Sequence, residues 1–338
     1  MIELDGSEAG GQFVRTAIAL SALTGKPVGI ANIRGSRDSP GLKMQHLEGI
    51  RSIADLCNAD VKGLELGSSD LEFTPKKLEA KDLNIKIGTA GSIGLVLQAL
   101  LIPASQLTKP IKISFDGGGT FGKWAPSPYY LQYVLFPLLG DSTKINVVRD
   151  GFYPKGGAKV EVETRPLKAM PLQLEKITKV KKIFCVSIAA KNLSNRKVAE
   201  RQAETAVALL SESLNIKPEV EIKYVDSLSA GSGVLLIAKT ENSTLGGDSI
   251  GEIGKTAEYV AREAVKNLIS DIDDGAVDRH AGDMLLPYMA IVGSGKIRVS
   301  QITNHMLTNI SVIEKFLPVK FKIDGDKGGP GTITVTRM

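Results

Sequence analysis

A chain of 338 residues, 43% hydrophobic and 23% charged, is long enough to bury a substantial core and has the balance of a soluble globular protein. No apolar run reaches bilayer length, and Met1-Ile2-Glu3-Leu4-Asp5 is too acidic for a signal peptide. Cys57 and Cys185 each sit in an apolar stretch and give neither a disulfide framework nor zinc spacing, so a cytoplasmic protein with no membrane partner is expected. The net charge of +5 permits a polyanionic partner without demanding one, and aromatics at 5% argue against extended base stacking.

In chain order, Glu8-Ala9-Gly10-Gly11 opens an apolar helical stretch that runs to about residue 23. A strand-like run (28–33), a loop and an amphipathic helix (42–57) follow. Thr89-Ala90-Gly91-Ser92 opens a second such helix, to about 101, before a strand at 111–115, a helix at 128–139 and alternating runs at 145–148 and 159–163. A third unit is predicted to begin with a strand at 173–180. Its helix opens only at His280-Ala281-Gly282-Asp283, and it continues through a strand at 297–300, a helix at 305–316 and runs at 319–323 and 332–336.

This order predicts an α/β fold of three βαβαββ repeats, over 1–181 and 276–338. Residues 182–275 interrupt the third repeat. Predicted strands at 183–189, 220–224 and 233–238, with helices at 196–214 and 253–270, suffice for a small inserted α/β domain. Asp271-Ile272-Asp273-Asp274 resembles a calcium-ligand run but lacks the distal Glu, and is expected to be a solvated helix end.

Parallel first and second strands would bring the strand-to-helix loops of all three repeats to one side, where helix N-termini favour anions. Ala-Gly pairs also permit close helix–strand packing, but three copies at equivalent places favour a repeat. Arg34 and Arg37 share one such loop and suit bidentate phosphate recognition, although surface arginines are common. Arg15 on an otherwise apolar helix needs a buried partner or a cleft, and Gln98 is a similar polar intrusion in the second repeat. Glu8 in the Gly-rich loop could hold a divalent cation, or simply cap or face solvent. Of the three histidines (His46, His280, His305), His305 starts a helix in the same ring of loops, where a neutral imidazole is a competent nucleophile toward phosphorus; a histidine there is also commonly structural. No Walker, dinucleotide, Gly-x-Ser-x-Gly or HExxH motif occurs. The residues alone describe a phosphate- or nucleotide-binding α/β repeat protein.

The ordered combination is more specific. Leu4-Asp5-Gly6-Ser7-Glu8-Ala9-Gly10-Gly11-Gln12-Phe13-Val14-Arg15, Ile33-Arg34-Gly35-Ser36-Arg37 with Pro40-Gly41-Leu42, and Gly91-Ser92 with Leu95-Val96-Leu97-Gln98 come first. Gly151-Phe152-Tyr153-Pro154, Asp283-Met284-Leu285-Leu286-Pro287 and His305-Met306-Leu307-Thr308-Asn309 follow. Together they resemble the RNA 3′-terminal phosphate cyclase family of the archaeal and bacterial type, over almost the whole chain. The resemblance implies three repeats like the C-terminal domain of a bacterial initiation factor, with a smaller inserted α/β domain.

It also implies a reaction: His305 takes AMP from ATP, passes it to an RNA 3′-phosphate, and the neighbouring 2′-hydroxyl closes a 2′,3′-cyclic phosphate. By that resemblance Glu8 and Gln98 would hold a divalent cation (Mg²⁺ or Mn²⁺) and ATP phosphates. Arg15, Arg34, Arg37 and Gln45 would bind phosphates of ATP or the RNA end, and Pro126, Tyr130, His280 and Asp283 would border the adenosine. Three rivals remain. Cyclase-like factors of ribosomal RNA processing and ribosome assembly lack the histidine, which His305 argues against. A carboxyvinyl transferase would share the repeats but not these motifs, and a nucleotide-regulated RNA-binding module would not turn over. The physiological RNA, the preferred nucleotide and metal, homodimer formation and the role of the insertion are left open.

Overall fold

The structure, a computed structural model, describes every residue except Trp124. The first unit is β1 (Ile2–Asp5), α1 (Gly11–Thr24), β2 (Val28–Ala31), α2 (Met44–Cys57), β3 (Asp60–Lys62) and β4 (Leu71–Thr74). The second is β5 (Leu83–Ser92), α3 (Ile93–Ala104), β6 (Lys112–Gly119), α4 (Pro128–Tyr130), a π-helical turn (Leu131–Leu135), α5 (Phe136–Leu139), β7 (Lys144–Arg149) and β8 (Lys159–Glu163). The third opens with β9 (Leu172–Leu174). Before it resumes come β10 (Lys182–Ala190), a 3₁₀ turn (Lys191–Arg196), α6 (Val198–Leu214), β11 (Glu219–Val225), β12 (Ser232–Lys239), β13 (Thr244–Ile250) and α7 (Ala257–Asp274). It then closes with α8 (Arg279–Val292), β14 (Ser294–Val299), α9 (Asn304–Phe316), β15 (Val319–Asp324) and β16 (Gly331–Arg337).

The three units share one topology. Their sheets run β1-β2-β4-β3, β5-β6-β8-β7 and, in the same sense, β9-β14-β16-β15. In each, the first two strands are parallel and the last two antiparallel. α1 is apolar on nearly every side because it is central: it packs on α2, α3 and α9, and residues 12–22 are all buried. It stops at Gly25, whose φ of +70° forms the left-handed cap.

In the fourth sheet, β11-β10-β12-β13, the central strands β10 and β12 are buried on both faces, whereas the edge strand β11 is largely exposed. Ile183, Cys185 and Leu236 pack under α6 and α7, whereas Val186, Ile188, Leu235 and Ile237 join the core of the three units. Among the described residues no helix is long and apolar enough to cross a membrane.

Several elements differ from expectation. β5 continues through Thr89-Ala90-Gly91, so the helix starts at Ile93 rather than at the Ala-Gly pair. The helix predicted over 128–139 is broken by the π turn, and β9 pairs with β14 over three residues only. β13 was not predicted; its Gly246 and Gly247 allow close packing. A Cβ on Gly246 would lie 2.5 Å from a Tyr130 ring carbon. Asp271 is not solvated. It is 1% exposed and accepts hydrogen bonds from Ser300 Oγ and Arg279 Nε, the latter at 2.9 Å, whereas Asp273 and Asp274 do face water.

Asp278 ties these parts together. Its Oδ1 accepts from the Tyr130 hydroxyl (2.6 Å) and the backbone N–H groups of His280 and Ala281, capping α8, while Oδ2 accepts from Gly246 N–H at 2.9 Å. Tyr130, 1% exposed, is therefore a core residue that supports the start of α8 from behind, not one that faces the cleft. Tyr130→Phe should lower stability by about 1–2 kcal/mol in urea melts, through the lost hydrogen bond, and leave ATP-dependent chemistry unchanged. A loss of ATP binding without a loss of stability would restore Tyr130 to the ligand.

Candidate active site

The loops after β1, β2, β5 and β14 converge on a cleft of about 1700 Å³ whose far wall is the fourth sheet and its loops. The central helix α1 supplies Gly10, Gly11, Gln12 and Arg15, the β2–α2 loop supplies Arg34, Arg37 and Lys43, α2 supplies Gln45 and His46, and α9 supplies His305. α1 and α9 both point their N-termini here. Gly10 caps α1 without a side-chain acceptor, so among the described residues no side chain takes the N–H groups at its start, where an anion is favoured.

His305 is the second residue of α9, whose cap is Thr303: its Oγ1 accepts from Met306 N–H at 3.0 Å. The side chain is 58% exposed to the cleft, and its Nδ1 lies 3.8 Å from Asp283 Oδ2, an electrostatic contact longer than a hydrogen bond. Partial burial, then the positive charges of Arg15, His280 and Arg37, hold its pKa below the usual histidine value. The positive end of α9 acts in the same direction. The imidazole is therefore neutral at neutral pH, with a lone pair available.

Asp283 on α8 is 7% exposed, and burial pushes its pKa up to about 7 against the lowering effect of the Thr303 hydroxyl, which donates to Oδ1 at 2.6 Å. Asn309 locks this corner: Nδ2 donates to the Asp283 carbonyl, and Oδ1 accepts from Thr16 of α1 at 2.8 Å. Behind it a small cavity, about 10 Å³ and so room for one water, is bordered by Arg15, Gln98, Asp283 and Asn309.

Arg15 is 8% exposed and has no acceptor among the described residues; burial lowers its pKa to about 10, so it stays charged. Arg34 adopts a left-handed backbone (φ +57°), and its Nη1 donates to the carbonyls of Ser39 and Gly41, holding the loop in shape. Arg37 is exposed and its guanidinium has no acceptor among the described residues. His46 had no assigned role from sequence. It is 3% exposed, its Nδ1 accepts from Lys43 N–H, and burial with Arg15, Arg34 and Lys43 around it lowers its pKa to about 3. Gly11 makes room for it, since a Cβ there would meet His46 Nε2 at 2.2 Å. Its rarity as one of three histidines was the only sequence signal.

Arg15, Arg34, Arg37, Gln45 and His305 thus share the cleft, and Gln98 and Asp283 share the adjoining cavity with Arg15. Glu8 lies in an exposed turn before α1. His280 is exposed in the first turn of α8, and Pro126 is half-buried with its carbonyl against Gly94. No group of three or more His, Cys, Asp or Glu side chains is arranged for a metal among the described residues.

A profile of the RNA 3′-terminal phosphate cyclase family matches residues 6–323. The chain belongs to that family. It is 47% identical over 345 residues to the RNA 3′-terminal phosphate cyclase of Pyrococcus abyssi, covering 100% of this chain and 99% of the relative. The cyclases of Thermococcus kodakarensis and Methanopyrus kandleri are 44% and 39% identical, each over 99% of this chain and 98% of theirs. Cyclase family membership covers all three units and the residues between them.

Proposed function

We propose that the protein converts an RNA 3′-terminal phosphate to a 2′,3′-cyclic phosphate at the expense of ATP, with His305 as the adenylylated nucleophile. The observation that supports this most directly is a neutral, cleft-facing His305 beside Arg15, a buried cation without an acceptor. The imidazole attacks the α-phosphorus, the bond to the bridging oxygen breaks, and pyrophosphate leaves. An oxygen of the RNA 3′-phosphate then attacks the adenylyl phosphorus, the N–P bond breaks, and an RNA–adenylate anhydride forms. Attack by the neighbouring 2′-hydroxyl on the terminal phosphorus expels AMP and closes the ring, with its proton lost to solvent or a nearby base.

In each step negative charge builds on phosphoryl oxygens, which Arg15, Arg34 and Arg37 and the N-terminus of α9 would stabilise; Gln45 would add a hydrogen-bonding side chain. A divalent cation such as Mg²⁺ or Mn²⁺ would neutralise the phosphates of ATP. Glu8 and Gln98 would supply it with oxygens rather than a cage, which would suit an ion that keeps its waters and phosphate ligands. Pro126, His280 and Asp283 would border the adenosine.

Incubation with α-labelled ATP and Mg²⁺ or Mn²⁺ should leave acid-labile, alkali-stable label on the protein, discharged by an oligoribonucleotide with a 3′-phosphate. Absence of label, with RNA bound but unchanged, would point instead to a cyclase-like factor without turnover.

A further inference from the structure

The cleft is larger than ATP requires: small-molecule sites run to about 1,000 Å³, against about 1700 Å³ here. Its lining is also one-sided. Nine Lys or Arg residues and a single carboxylate, Glu252, line it among the described residues, which marks the whole cleft for a polyanion rather than only its reacting end.

Not all of these cations are free. Arg201 is held by Glu258, Lys255 by Glu252 and Glu263, and Lys123 pairs with Glu252. Lys155 and Arg196 have no carboxylate partner among the described residues, and both are exposed. Lys155 follows β7 in the second unit, and its backbone N–H donates to Ser229 Oγ at 3.1 Å, which fastens that turn to the fourth sheet. Arg196 ends the 3₁₀ turn after β10. Tyr153, two residues before Lys155, is 82% exposed, an aromatic face open to the same cleft.

We propose that the RNA strand upstream of the reacting 3′ end runs along this far wall, with its phosphates on Lys155 and Arg196 and one base stacked on Tyr153. The inserted sheet and its loops then form the wall of an RNA channel whose floor holds His305. Unpaired cations lining a groove, with an aromatic face in the same groove, are what a single strand needs for binding without sequence preference. This inference rests on the cyclase reading of His305.

The test compares two substrates with 3′-phosphates, a dinucleotide and an oligoribonucleotide of roughly a dozen residues. Wild-type protein should bind the longer one more tightly, with affinity falling steeply as salt rises. Lys155→Ala/Arg196→Ala should flatten the slope of log affinity against log salt by about 1.4, the value for two lost phosphate contacts on a single strand. Tyr153→Ala should weaken the longer RNA about tenfold. Both variants should keep wild-type binding of the dinucleotide and wild-type labelling by ATP alone. Equal affinity for the two RNAs, or an unchanged salt slope in the double variant, would overturn the channel. Loss of labelling in the wild-type protein would instead overturn the reading of His305 while leaving the binding comparison interpretable.

Discussion

His305→Ala should eliminate ATP-dependent labelling, a loss of at least about a thousandfold, because the proposed nucleophile goes with the imidazole and neither the cysteines nor His46 is placed to replace it. Cys57 and Cys185 are both buried, and burial raises their thiols to about 11 and 12, so neither supplies a thiolate. His46 is buried with its Nδ1 already accepting from Lys43, and a sterically tight seat against Gly11. Thermal stability should change by no more than about 0.5 kcal/mol, since the ring is mostly exposed and makes no hydrogen bond.

The pH dependence has a definite sign. The reactive form is the neutral ring, so the labelling rate should fall as acid protonates His305. At subsaturating ATP, where the groups of the free protein govern the rate, that fall should be centred below the ordinary histidine value of 6.5, because burial, Arg15, His280 and Arg37 all disfavour the imidazolium. A midpoint at or above 6.5 in single-turnover labelling at subsaturating ATP would mean that the ring is not shielded as the geometry requires. Full labelling of His305→Ala would remove it from the chemistry altogether.

The units were legible because each carries the same local signals: an apolar helix, a two-period strand and an amphipathic helix in fixed order. What was not legible depended on partners distant in sequence. The glycines of β13 look like a loop until the Tyr130 ring and Leu268 occupy the space their missing side chains leave. Asp271 looks like a solvated helix end until Ser300 and Arg279 reach it. The Ala-Gly pair at 90–91 reads as a helix start, yet β5 continues past it to Ser92, which then caps α3.

The site divides the same way. Arg15 stood out as a charge on an apolar helix, and Arg34 and Arg37 stood out by proximity. That α1 and α9 would pack together, with Thr16 bonded to Asn309, is a tertiary fact with no sequence signal. The same packing places Asp283 beside His305 and puts Tyr130 behind α8 rather than against a ligand.

Arg15→Met should leave the protein at least as stable as wild type while lowering labelling by about a hundred- to a thousandfold. The guanidinium is buried on the central helix, remains protonated at its depressed pKa of about 10, and has no carboxylate or carbonyl acceptor among the described residues. A buried charge in that state costs several kcal/mol, and methionine fills similar space without it. Such a position is tolerated when a ligand supplies the missing anion, and removing a preorganised donor of this kind typically costs that much in rate. Melting curves with and without ATP separate the two effects. The variant should melt at or above the wild-type temperature without nucleotide, and show little of the shift that ATP and Mg²⁺ produce in wild type. Arg15→Lys keeps a charge but not the planar fork, so its activity should fall between the two. If Arg15→Met melts much lower and still labels normally, the arginine is a packing element and the anion site must be assigned to Arg34 and Arg37 alone.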